Sequence, residues 1–173
     1  MSARLTLVLG GARSGKSRYA ETLIMALPPP WIYAATGQGL DAEMVARIGA
    51  HRARRGAGWT TVETPRELAA TLTAHGRMPV LVDCLTLWLS NLMMAEVSID
   101  AELDRLEQAL DKATAPVVLV ANEVGSGIVP DNALARRFRD RQGWLNQRIA
   151  AQADQVVLIV AGLPLFLKGR PTE

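Results

Sequence analysis

Residues 5–17 read Leu5-Thr6-Leu7-Val8-Leu9-Gly10-Gly11-Ala12-Arg13-Ser14-Gly15-Lys16-Ser17, an apolar strand that breaks at once into the pattern G-x-x-x-x-G-K-S. Each part of that pattern has a chemical task. Gly10, Gly11 and Gly15, with Ala12, Arg13 and Ser14 between them, let backbone N–H groups curl round a phosphate. Lys16 reaches the β and γ phosphates, and the Ser17 hydroxyl is a ligand for Mg²⁺. The helix that follows points its positive end at the same anion. Strand, loop and helix together predict a nucleoside triphosphate site in an α/β fold.

Composition bounds what surrounds that loop. With 173 residues, 49% of them hydrophobic and 21% charged, the chain is expected to form a single domain over residues 1–173 with one core. No apolar run approaches the ~20 residues of a membrane span, and the first strand starts too early for a signal peptide, so a cytoplasmic protein is expected. Cys84 is the single cysteine and histidines number two, which excludes an internal disulfide and a dedicated nitrogen and sulfur metal cage. Mg²⁺ on oxygen ligands remains. A formal charge of +2 without a basic arm gives no reason to expect nucleic acid.

Outward from the loop, Tyr19, Leu23 and Ala26 recur at helical spacing until Pro28-Pro29-Pro30 stops the helix. Trp31 to Ala35 reads as a second strand, followed by the loop Thr36-Gly37-Gln38-Gly39. Asp41 opens a helix to about Arg55, whose apolar side, Met44 and Ile48, continues into His51 and Arg55, with Arg47 and Arg54 beside it. Trp59 to Glu63 is a short strand, and Pro65 opens a helix to His75. The His75 side chain, next to Gly76, suits a helix end at the surface. Pro79 to Asp83 is a buried strand ending in a carboxylate, which is either the acid that holds Mg²⁺ or the N-cap of the apolar helix from Leu85 to Ala95. That helix is expected in the core, with a pocket for a flat ligand as the alternative.

Ser98 or Asp100 begins an amphipathic helix with Leu103, Leu106 and Leu110 inward. Pro116 to Ala121 is another buried strand, delivering Glu123 and a glycine-rich loop. Glu123 either orients a nucleophilic hydroxyl or binds its own turn. From Asp131 to about Ala153 a long helix sets Leu134, Phe138, Leu145 and Ile149 along one stripe, bordered by Arg137, Arg141, Trp144 and Arg148. This ridge either holds phosphates, or its arginines lie over the apolar stripe or meet acids of a neighbouring subunit. Gln155 to Gly162 is the last expected strand, with a loose tail from Lys168 to Glu173. Apolar runs alternating with helices predict a mainly parallel sheet covered on both faces.

The segments GGARSGKSRYAE, DAEMVARIGAHRARR, VDCLTLWLSNL, NEVGSGIVPDNALARRFRD and GWLNQRIA resemble the bifunctional adenosylcobinamide kinase and adenosylcobinamide-phosphate guanylyltransferase family of cobalamin biosynthesis, from Leu5 to about Lys168. The resemblance implies a P-loop fold and two reactions. ATP or GTP phosphorylates the aminopropanol hydroxyl of adenosylcobinamide, and GMP from GTP is then placed on the adenosylcobinamide phosphate to give adenosylcobinamide-GDP. It also implies a guanylylated histidine at His51, and GTP contacts from Ala35, Thr36, Gly37, Arg52, Ala53, Arg54, Arg55, Glu63 and Asp83. Homo-oligomers, trimers among them, are implied as well. The residue before His51 is Ala50, where some relatives carry a second histidine. The chemistry of His51 agrees, since a neutral imidazole attacks phosphorus well near pH 7 and the surrounding arginines neutralise developing charge. Without the resemblance, His51 reads as a surface histidine in an Arg-rich helix. Two other functions fit the loop alone: a nucleic-acid-dependent ATPase, and a small-molecule kinase that lacks nucleotidyl transfer.

Overall fold

A computed structural model describes residues 3–38, 49 and 56–169. Seven strands form one sheet: β1 (Leu5–Gly10), β2 (Trp31–Ala35), β3 (Trp59–Glu63), β4 (Val80–Asp83), β5 (Val117–Asn122), β6 (Gln155–Val160) and β7 (Leu163–Lys168). Their order is β3-β2-β4-β5-β1-β6-β7, and every pairing is parallel except β6 with β7. The described helices are α1 (Lys16–Met25), α2 (Leu68–His75), α3 (Leu85–Met94), α4 (Ile99–Lys112) and α5 (Ala133–Gln152). The helix expected from Asp41 to Arg55 lies outside the described residues, apart from Gly49 in helical conformation.

Strand alternation splits the core in two. Leu5, Leu7 and Leu9 face a layer that includes Leu72 of α2, Trp88 of α3, Leu106 of α4 and Leu145 of α5. Val8 faces the opposite layer with Ala20 and Ile24 of α1. Both faces are therefore covered, as expected for buried parallel strands. Trp88 and Leu89 are fully buried, which makes α3 core rather than pocket.

The structure differs from expectation at several ends. The strand expected from Gln155 to Gly162 is not the last: Ala161 (φ 52) and Gly162 (φ 80) form a left-handed two-residue turn that folds Leu163–Lys168 back as an antiparallel edge strand. Pro164 concealed this strand, because proline is tolerated only where a ladder N–H is not needed, as at a sheet edge. The α3 N-cap is Cys84, with no side-chain cap bond, so Asp83 does not cap that helix. Asn132, not Asp131, caps α5 by accepting from Ala135 N at 2.7 Å. Leu134 is exposed, so the buried stripe of α5 starts one turn later, at Phe138. No helix among the described residues is long and apolar enough to cross a membrane.

Candidate nucleotide site

Because β1 to β6 run in parallel, their carboxyl ends share one edge of the sheet, where α/β folds bind ligands. Gly10 ends β1, Ala35 ends β2, Glu63 ends β3, Asp83 ends β4 and Asn122 ends β5. His75, the described histidine, sits half-buried at the end of α2, before the chain turns to re-enter β4 from the opposite edge.

The loop after β1 is held from three sides. A Cβ on Gly10 would lie 2.4 Å from Ser14 Oγ and 2.8 Å from Ile159 O, so only glycine lets the loop close against β6. Gly162 N donates to Ser14 O at 2.9 Å, fixing the loop to the β6–β7 turn. Gly15, at φ 96, starts α1 in a left-handed conformation. Lys16 Nζ donates to Gly11 O at 3.0 Å, which lays the ammonium over the loop. Gly11, Ala12 and Arg13 are exposed, while Lys16 and Ser17 are half-buried.

Asp83 is mounted by a second device. Tyr33 Oη donates to Asp83 Oδ2 at 2.8 Å. The buried Thr36 hydroxyl accepts from Cys84 N at 2.8 Å and donates to Cys84 O at 2.7 Å, and Thr36 N donates to Asp83 O at 3.3 Å. Asn91 Nδ2 then donates to Thr36 O at 2.8 Å and to Pro65 O at 2.9 Å, linking β2, α3 and the entry to α2. Burial, aided by the Asp83 charge, pushes the Cys84 thiol up to about 11, and the charge of Lys16 opposes this. Loop cation and strand-tip carboxylate thus act on one buried thiol. Ala35 pairs in register with both Asp83 and Glu63, bringing the three expected nucleotide contacts to one level of the sheet.

Glu123 is arranged differently. Its N–H donates to Gly10 O at 3.1 Å, while its Oε1 accepts from Gly125 N at 2.6 Å, the own-turn alternative. Two arginines of the α5 ridge, Arg141 and Arg148, are engaged by acids, as in the second alternative but within the same chain. Arg141 meets Asp100 at 3.0 Å, and Arg148 meets both Asp104 and Glu107 at 2.6 Å, all on α4 of the same chain. Hydrogen bonds to Glu107 and Asp104 hold the Arg148 guanidinium above its usual basicity. His51, Arg52, Ala53, Arg54 and Arg55 lie outside the described residues.

Sequence reasoning missed Tyr33, Asn91, Thr86 and Asn146. Only the polar members of helical core stripes, Asn91 in α3 and Gln142 and Asn146 in α5, signalled that the buried layer carries hydrogen-bonding duties. Among the described residues, no group of three or more His, Cys, Asp or Glu is arranged to hold a metal.

Residues 6–167 match the model of a family described as cobinamide kinase / cobinamide phosphate guanyltransferase. The chain belongs to this family. Its curated relatives include the bifunctional adenosylcobalamin biosynthesis protein CobP of Pseudomonas aeruginosa, 49% identical over 170 residues covering 95% of this chain and 98% of the relative. The protein named CobU from Salmonella typhimurium is 45% identical, covering 95% and 99%, and that from Escherichia coli is 42% identical with the same coverage. The fold is also similar to a RadB recombinase crystal structure (TM-score 0.54, 17% identity, 89% of this chain and 73% of that one). A Pyrococcus horikoshii protein, PH0250, gives 0.56 at 6% identity, with 96% and 86% covered. These two structures speak for the fold alone. As a member of the family, the chain is a bifunctional enzyme of cobalamin biosynthesis, a cobinamide kinase and a cobinamide phosphate guanyltransferase. A nucleic-acid-dependent ATPase and a kinase without nucleotidyl transfer are not favoured.

Proposed function

We propose that both reactions draw on the sheet edge formed by the phosphate loop and Asp83, with His51 serving only the second. In the kinase step the aminopropanol hydroxyl oxygen of adenosylcobinamide attacks the γ phosphorus of ATP or GTP, the nucleoside diphosphate leaves, and the hydroxyl proton passes to solvent. Backbone N–H groups of residues 11–17 and Lys16 neutralise charge on the transferring group. In the transferase step a nitrogen of His51 attacks the α phosphorus of GTP and pyrophosphate leaves. A phosphate oxygen of adenosylcobinamide phosphate then displaces His51 and takes the GMP. Arg52, Ala53, Arg54, Arg55, Ala35, Thr36, Gly37 and Glu63 contact this nucleotide. The Thr36 hydroxyl is committed to Cys84, so its part is to position the Asp83 tip.

Ser17 and Asp83 offer a hydroxyl and a carboxylate, an all-oxygen donor pair that fits Mg²⁺ sharing the phosphates. When bound, Mg²⁺ supplies charge neutralisation between the phosphate oxygens. The assembly is proposed to be a homo-oligomer, a trimer, working in the cytoplasm. The observation that supports this reading is the clamped loop at the same carboxyl edge of the sheet as Asp83, one strand away. Its test is incubation with GTP labelled at the α phosphate, which should leave acid-labile, alkali-stable GMP on the protein. His51→Ala should lose the label and guanylyl transfer yet keep kinase activity. Label surviving that substitution would remove His51 from the mechanism.

A further inference from the structure

The residue at the tip of β5 is set between the phosphate loop and Asp83, and it is mounted without help from its own side chain. Strand β5 lies between β1 and β4, and Asn122 pairs in register with Gly10. Thr86 Oγ1 of α3 accepts from Asn122 N at 2.7 Å, and Asn146 Nδ2 of α5 donates to Asn122 O at 3.1 Å. The fully buried Gln142 donates to Asn146 Oδ1 at 2.8 Å, which fixes that amide in turn. Three polar side chains of the buried layer thus serve, Gln142 through Asn146, the main chain of one strand-tip residue, a costly arrangement unless the tip must be rigid.

The Asn122 side chain projects to the other face. Leu119 and Ala121 belong to the layer of α2 to α5, while Val118 and Val120 belong to that of α1, so alternation places Asn122 on the α1 side with the phosphate loop. Asn122 Oδ1 is buried and has no hydrogen-bond partner among the described residues. The same holds for Ser14 Oγ, the loop atom that a Cβ on the register partner Gly10 would strike. An unpaired buried carboxamide oxygen costs about 1–3 kcal/mol; Gln142 and Gln152 of α5 each leave one as well, and that of Asn122 is the carboxamide oxygen at the strand edge that carries the phosphate loop.

We propose that Asn122 is a catalytic residue of the kinase reaction, its carboxamide donating a hydrogen bond to the γ phosphate and turning its oxygen to the loop. The placement explains why Asn122 rather than Glu123 faces the chemistry, since Glu123 turns back to Gly125. In guanylyl transfer the bond that breaks is at the α phosphorus and the γ phosphate departs within pyrophosphate, so loss of this contact leaves the rate of that reaction nearly unchanged.

The inference rests on the phosphate loop holding the kinase nucleotide. The test measures cobinamide phosphorylation and GTP-dependent labelling in Asn122→Ala, Asn122→Asp and Lys16→Ala, with thermal unfolding of each. Asn122→Asp keeps the shape but replaces the donor with an acceptor. Both Asn122 variants should lose about 10²–10³-fold in kinase kcat, the range for removing one preorganised donor. The nucleotide KM and the labelling rate should stay within roughly threefold, since the contact acts in the phosphoryl transfer step. A folded Asn122→Asp with parental kinase kcat, or equal loss of both reactions, would overturn the assignment. Retained kinase activity in Lys16→Ala would instead overturn the loop as the nucleotide site.

Discussion

Strands β4 and β5 deliver an acid to the same edge of the sheet, Asp83 at the end of one and Glu123 just past the end of the other, and the structure handles them in opposite ways. Asp83 is braced from outside its own segment, by Tyr33 at 2.8 Å and by the Thr36 bracket on Cys84. Glu123 closes a local turn by accepting from Gly125 N at 2.6 Å. A carboxylate held by distant elements keeps its direction when a ligand arrives, whereas one bound to its own turn spends its acceptor on the loop. An acid after an apolar strand is the same signal twice in the sequence. Only packing separates an acid braced by distant elements from one set for a turn.

The widest gap should appear in phosphoryl transfer. Asp83→Asn should lower kinase kcat by about 10²-fold, in keeping with loss of charge at a phosphate site. Glu123→Gln should stay within roughly threefold, because the amide oxygen still accepts from Gly125 N. Steady-state kinetics at saturating nucleotide check both, and similar losses in the two variants would erase the distinction.

Stability sharpens the contrast next. Thr36→Val removes the hydroxyl that serves both Cys84 N and Cys84 O in a buried site. Stranding those groups should cost about 2–4 kcal/mol, a drop of roughly 5–15 °C in Tm. Glu123→Gln, at a partly exposed turn, should cost less than about 1 kcal/mol. Differential scanning calorimetry of the two variants measures this directly.

The smallest effect is a pH dependence. The Cys84 thiol is raised from 9.0 to about 11 in the folded chain. Its contribution is fully present below pH 9 and is lost as pH rises towards 11, because the unfolded chain releases the proton first. About 1 kcal/mol should be gone by pH 10, and Cys84→Ala should flatten that part of the curve relative to the parent protein. Parallel curves for parent and variant between pH 9 and 11 would show that the thiol is not held neutral by burial.

Much of the fold was legible because its signals are local. The phosphate loop, the parallel strands before it and after it, and the leucine stripe of α4 all follow from runs of neighbouring residues. The edge strand β7 was hidden because its reversal depends on a positive φ at Ala161, a non-glycine residue whose type does not announce it. The α5 arginines stayed ambiguous for a related reason: charge along one helix says nothing about acids that another helix of the same chain brings to it, here Asp100, Asp104 and Glu107 for Arg141 and Arg148. In the site, loop residues were readable from their pattern, while Tyr33, Asn91, Thr86 and Asn146 act through contacts spanning 24 to 55 positions. No window on the sequence contains both ends of such contacts.

The most direct test of the division between the two acids is the Mg²⁺ dependence of cobinamide phosphorylation in Asp83→Asn and Glu123→Gln, each compared with the parent enzyme. The account predicts that Asp83→Asn needs at least about tenfold more Mg²⁺ for half-maximal rate, while the Glu123→Gln curve overlays that of the parent. A shifted curve for Glu123→Gln with an unmoved one for Asp83→Asn would contradict it.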